Sequence, residues 1–223
     1  MELSHYPLLA ELFRYPEPGF VKNMEKARDW LKTYCPPAAK EVETFYKDLS
    51  QADFDQIQAL FTRTFDVQAI TTLDAGYVLF GDDYKRGAIL SNLNREHQKV
   101  ANDCGSELAD HLPNLLCLIP KLKDEELLRE LVEEIIAPAV QKMIGEFNPE
   151  KLTQKNELYK KHYKTLIEIP GNNNTVYQRA LKALYLVLQK DFDVKEKNPQ
   201  DYANNDFLRS VSTEMDVEKV ATE

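Results

Sequence analysis

The chain has 223 residues, 43% of them hydrophobic and 29% charged, with only 7 glycines and a formal net charge of -9. That is enough apolar content for one real core, and too little glycine for a loop-rich all-β fold. The charge has the wrong sign for a protein that grips duplex nucleic acid through a basic face. No apolar run reaches the ~18 residues a membrane span needs. The N-terminus, MELSHYPLLAELFRYP, is neither basic nor followed by a small-residue cleavage site, so no signal peptide is expected. Cys35, Cys104 and Cys117 form no CxxC and are odd in number, which reads as free thiols in a reducing cytosol.

The pattern is helical throughout. A short helix spans Tyr6 to Tyr15 and is ended by Pro16 and Pro18. A second runs from Phe20 to Tyr34, with Met24, Ala27, Trp30 and Leu31 on its apolar side. Pro36 and Pro37 break the chain and start a third helix, reaching about Leu49 through Val42 and Phe45. A fourth follows Asp53 through Ile57, Leu60, Phe61 and Phe65. Thr72 is the expected N-cap of a core helix, Leu73 to Phe80. A helix from Asp83 to about Asp103 places Ile89, Leu93 and Val100 on one side. Glu107 to Cys117 reads as one short helix or two, ended by Pro120. Glu125 to Phe147 keeps the helical step, and Pro138 predicts a kink inside it. Leu152 to Ile169 and Thr175 to Leu188 complete the set, separated by the loop Pro170-Gly171-Asn172-Asn173-Asn174.

From residue 191 to 223 nine acids face four bases and apolar residues thin out, which predicts a mobile or partly helical acidic tail; trimming from about residue 195 onward should leave the melting temperature nearly unchanged. The expected architecture is therefore one all-α domain over residues 1–190, of about nine to eleven helices, followed by that tail.

The motifs of common chemistry are missing. The histidines at 5, 97, 111 and 162 include no i,i+4 pair and no HExxH, so no protein-bound metal is expected. There is no GxGxxG, no P-loop and no GxSxG elbow. No cofactor is expected, and the chain does not read as an enzyme. A hydrolase-like alternative would need a polar pocket around His111, Asp110 and Asp66; a general helical adaptor is the other alternative.

Four pieces of the central stretch carry a resemblance. They are TFD at Thr64 to Asp66, TTLDAGYVLFG at Thr71 to Gly81, YKRGAIL at Tyr84 to Leu90, and ELADHLPNLL at Glu107 to Leu116. In order and spacing they resemble the NarJ/TorD/DmsD group of cytoplasmic chaperones that mature molybdenum-containing redox enzymes, nearest the nitrate reductase assembly branch. ELADHLP is the most specific piece; where Ala109 stands the group usually has proline, and where Cys117 stands often an acid.

The resemblance implies a TorD/NarJ-like helical fold and a system-specific chaperone in the cytoplasm. Its partner would be the N-terminal region of the apo catalytic subunit of a molybdopterin oxidoreductase, with the cofactor-insertion machinery as a further partner. The client-binding set it implies is Asp66, Tyr77, Tyr84, Lys85, Arg86, Glu107, Asp110 and His111, with Gly81, Gly87, Leu112, Pro113 and Leu116 as structural members of the motifs. Three of these carry a physical question of their own. Bases are disfavoured at a helix N-terminus, so Lys85 and Arg86 point to an anionic contact or a bridge to an acid elsewhere. Gly87 costs a helix ~1 kcal/mol against alanine, which close helix approach or room for a bound peptide would explain.

Overall fold

In the computed structural model the described residues are 2–163 and 175–195. They form ten helices and no sheet, counting Glu125–Gly145 as one interrupted helix. The elements are α1 (Tyr6–Ala10, continued by a 3-10 turn Glu11–Phe13), α2 (Phe20–Tyr34), α3 (Pro36–Leu49), α4 (Phe54–Phe65), α5 (Ala75–Phe80) and α6 (Tyr84–Lys99). After them come α7 (Leu112–Leu118), α8 (Glu125–Glu130), α9 (Ala137–Gly145), α10 (Pro149–Tyr163) and α11 (Val176–Phe192).

The core grows around α3, which lies between α2 and α11. Ala38, Val42, Phe45 and Leu49 step by four, three and four along its inner face, and all are buried. From α11, Tyr177 closes the centre, its ring standing edge-on to Phe45, Phe61 and Phe65. Phe61 and Phe65 are thus committed to the core. α1 lies on α7, and α5 is held between α6 and α9. This stacking brings the two central motifs, α5 and the start of α7, side by side.

Several boundaries differ from the sequence pattern, each for a local reason. The predicted helix from Leu73 begins only at Ala75, because the backbone at 73–75 is used otherwise. Leu112 N donates to Leu73 O (2.9 Å) and Ala75 N to Asp110 O (2.9 Å), an isolated antiparallel bridge centred on Asp74 and His111. Residues 107–111 are consequently a turn, and only Leu112–Leu118 is helical, with Pro113 in its first turn. α6 stops at Lys99, ahead of the expected Asp103, where Ala101 takes a left-handed φ of 50° and Asn102 N returns to His97 O (2.9 Å).

The Pro138 irregularity lies one turn upstream of the proline, as a π-helical stretch Leu131–Ile136. Proline removes one amide donor and crowds the carbonyl four residues back, and the wider turn accommodates both. α11 runs on to Phe192, so Asp191 and Phe192 belong to the helix instead of opening the tail. The loop 170–174 and the tail from 196 lie outside the described residues.

Candidate functional site

The bridge between Asp74 and His111 organises a charged cluster. Asp110 is 0% exposed. Its Oδ2 accepts from the Gly76 amide (3.1 Å) and from Arg86 Nε (3.1 Å), while Oδ1 has no hydrogen-bond partner. Arg86 Nη2 donates to Asp74 Oδ2 (2.9 Å), and its guanidinium lies 5.2 Å from the centre of the Tyr77 ring. The other oxygen of Asp74 accepts from His111 Nδ1 (3.0 Å), which places the imidazole proton there. Glu107 stands further off, at 3.9 Å from the same nitrogen. A single chain of contacts thus runs from buried Asp110 through Arg86 and Asp74 to His111 at the surface.

Gly76 is required by this packing. A Cβ there would come within 2.6 Å of Asp110 Oδ2 and 3.3 Å of Arg86 Cγ. Gly81 is required for another reason: it ends α5 at φ 61°, a conformation side chains resist, as its amide returns to Tyr77 O (2.7 Å).

The two acids titrate in opposite directions. Burial pushes Asp110 up, and the nearby charge of Asp74 adds to this; Arg86 offsets only part. Burial also acts against charge on Asp74, but the hydrogen bonds and charges of His111 and Arg86 prevail and hold it below the usual carboxylate range. Asp66 is raised, first by burial and then by Glu107.

The turn 104–111 is stitched from behind. His97 Nε2 donates to Ala109 O (3.0 Å), and its Nδ1 accepts from Asn102 Nδ2 (2.8 Å). Asn114 Nδ2 donates to Cys104 O (3.3 Å) and Leu108 O (3.0 Å), and Asn102 Nδ2 also reaches Asn114 O (3.1 Å). Both ends of α6 therefore grip the turn, Arg86 at Asp110 and His97 at Ala109.

In front of His111 opens a cleft of about 580 Å³. One wall is the N-terminal segment, with Glu11, Arg14, Tyr15 and Glu17; the other carries Asp66, Glu107, His111 and Pro113, with Phe61 between them. The first wall was not foreseen from the sequence. Its only signal was the Pro16/Pro18 break, which turns the chain back over α4 and presents Glu11 to Glu17 as an edge.

The predicted residues thus separate into three groups. Asp66, Glu107, His111 and Pro113 share the cleft. Asp110, Arg86 and Tyr77 form the support behind it, with Asp110 in the interior and Arg86 bridging it to Asp74. Tyr84 (82% exposed) and Lys85 stand in solvent at the start of α6, with no side-chain contact drawing them into the cleft. Leu112 and Leu116 are core. Gly87 has nothing within 4 Å of where a Cβ would sit, so close helix approach does not explain it.

Among the described residues no group of three or more His, Cys, Asp and Glu side chains is arranged to hold a metal. Among them, too, His111 has Asp74 and Glu107 as its polar side-chain partners, with no hydroxyl or thiol in hydrogen-bond reach. No described helix is long and apolar enough to cross a membrane. Comparisons with models of known families, with curated proteins and with solved structures found no match.

Proposed function

We propose that this chain is a system-specific chaperone that binds the N-terminal region of an apo molybdopterin oxidoreductase subunit, of nitrate reductase or related type, and assists cofactor insertion. The observation that carries the reading is the convergence of its motif pieces. TTLDAGY and ELADHLP are far apart in the sequence, yet they pair through Asp74 and His111, and His111 with Glu107 and Pro113 of the second piece lines the cleft. A binding function also suits the site chemically. It offers a concave surface of mixed aromatic and charged character. Carboxylates on both walls, Glu17 on one and Asp66 and Glu107 on the other, suit a basic leader segment. The chaperone itself makes and breaks no bond; it works by favouring the unfilled client over the finished one.

The test is calorimetric titration of the leader peptide of a molybdopterin oxidoreductase catalytic subunit from the same organism. His111→Ala should weaken binding by about tenfold with the helical spectrum intact. Equal affinity of wild type and variant would place binding elsewhere. Disrupting the gene should leave that oxidoreductase short of molybdenum cofactor; full loading would remove the chaperone reading.

A further inference from the structure

The packing of the turn on α7 brings two of the three free cysteines to one place. Cys104 opens the turn, and Cys117 lies on α7. Residues 114, 117 and 121 recur at helical spacing along α7 and the 3-10 turn Ile119–Lys121 that continues it, so they share a face. The segment 101–104 is laid along that face and tied at both ends. Asn114 Nδ2 donates to Cys104 O (3.3 Å), and Lys121 Nζ donates to Ala101 O (3.4 Å). Cys117 lies between the two ties, one turn beyond Asn114, a separation of about 5–6 Å between Cβ atoms on a helix.

Both thiols are half-buried, and their surroundings differ in kind. Cys104 lines the cleft in front of His111. Arg14 reaches over from the other wall of that cleft, and its Nη2 donates to Cys117 Sγ (3.6 Å). A guanidinium donor at a sulfur is the setting in which a cysteine attacks as a nucleophile. Cys104 is instead held in its thiol form, first by burial, then by the charge of Asp103 and by Cys117 itself, so the two sulfurs are close enough to feel one another. Cys35 is the contrast: it is 6% exposed, packed in the core at the start of α3.

We propose that Cys104 and Cys117 are a peroxide-sensitive thiol pair that closes to a disulfide within the chain, Cys117 attacking and Cys104 resolving. In the first step the Cys117 sulfur, having given up its proton, attacks one oxygen of hydrogen peroxide. The O–O bond breaks, the departing hydroxide takes that proton and leaves as water, and Cys117 becomes a sulfenic acid. In the second step the Cys104 sulfur attacks the Cys117 sulfur. An S–S bond forms, the S–O bond breaks, and hydroxide leaves with the Cys104 proton as a second water. The two thiols together lose two electrons and two protons, and the peroxide is reduced to water. The new bond fastens to α7 the start of the turn that carries Glu107 and His111, which couples the oxidation state of the pair to the cleft. No step uses a client, so the pair stands or falls independently of the proposed function.

The test treats the reduced full chain with a few equivalents of hydrogen peroxide, titrates its thiols and maps the linkage by mass spectrometry without reductant. Free thiols should fall from three to one, with Cys104 joined to Cys117 and Cys35 still free, and dithiothreitol should restore all three. Cys104→Ser should stop at the sulfenic acid of Cys117, which dimedone traps. Arg14→Gln should form the disulfide about tenfold more slowly, as its sulfur loses the donor that favours attack. The pair is overturned if all three thiols survive in wild type, if Cys35 enters the bond, if the bond joins two chains, or if Cys117 gains oxygen without bonding to Cys104. That count needs no substitution, so it decides whether or not the variants fold. Equal rates in wild type and Arg14→Gln would overturn Cys117 as the attacking sulfur.

Discussion

Gly76 and Gly87 lie in neighbouring motifs and have opposite reasons to exist. At Gly76 the missing Cβ makes room for the Asp110 carboxylate, with 2.6 Å left for any added carbon. Gly76→Ala should therefore destabilise by about 1–3 kcal/mol, as overpacking does. At Gly87 nothing lies within 4 Å, so Gly87→Ala should stabilise the fold by about 0.5–1 kcal/mol, the ordinary helix gain. Urea denaturation of the two variants measures both signs, and a destabilising Gly87→Ala would mean that the helix geometry there is not ordinary. Arg86 gives a sharper test. Its removal leaves Asp110 buried, with one oxygen already unpartnered and the Gly76 amide as its remaining donor. Arg86→Ala should cost about 3–5 kcal/mol, the size expected for stranding one member of a buried pair. Asp110→Asn should cost less, since the amide keeps the side chain's shape and an oxygen that can accept from the Gly76 amide and Arg86 Nε. If Arg86→Ala melts like wild type, the chain of contacts from Asp110 to His111 does not stabilise the fold.

The helices were legible wherever their ends are written in local chemistry. The paired prolines at 36 and 37 start α3, Asp53 with Gln56 starts α4 (Asp53 N to Gln56 Oε1, 3.1 Å), and Asp83 caps α6 by accepting from Lys85 N (2.9 Å). The sequence misleads at 107–111, where the decisive groups are distant. ELADHL has a helical spacing, but its carbonyls are taken by His97 and Asn114, and its acid is drawn inward by Gly76 and Arg86. Nothing in the segment itself announces those partners. For the site, the motif residues were legible and their division of labour was not. Asp110 and His111 are adjacent in sequence, yet the bridge turns one into the interior and the other to the cleft. The wall from Glu11 to Glu17 carried no motif at all. Asn114 ties two carbonyls of the turn together from behind. Asn114→Ala leaves the part-buried carbonyls of Cys104 and Leu108 without that donor, and losing the two bonds should cost about 1–3 kcal/mol. Faster amide hydrogen exchange should follow across 104–111, with α3 and α11 unchanged; uniform exchange across the chain would instead indicate global loss of fold.

The cleft depends on how the first residues of the chain are held, and they are held by the last described turn. Asp191, near the end of α11, accepts from His5 Nε2 (2.8 Å), from Tyr6 Oη (2.9 Å) and from Tyr34 Oη. His5 is stacked on Trp30 at 4.6 Å, and Lys190 donates to Tyr34 O. This junction fixes α1 on α7, and so sets the N-terminal wall opposite His111. It also relocates the boundary that the charge pattern suggested at residue 191. A chain ended after Lys195 keeps every one of these contacts; one ended after Lys190 loses the carboxylate that three donors share. The shorter chain should be less stable by about 3–5 kcal/mol, as expected when a buried, hydrogen-bonded charge is removed from its partners. Its N-terminal segment should exchange amide hydrogens faster as the wall loosens. The pH dependence carries its own sign. Burial works against charge on Asp191, yet the hydrogen bonds from His5, Tyr34 and Tyr6 hold it below its ordinary value of 3.8. A carboxylate depressed in the folded state adds stability above its unfolded pKa, and that stability is lost as pH falls through the folded value. The advantage of wild type over Asp191→Asn should therefore be full at pH 7 and begin to shrink only below about pH 4. Urea midpoints of both proteins at pH 7 and pH 3 decide it. A gap as wide at pH 3 as at pH 7 would mean that the ionised carboxylate is not what joins the two ends of the chain.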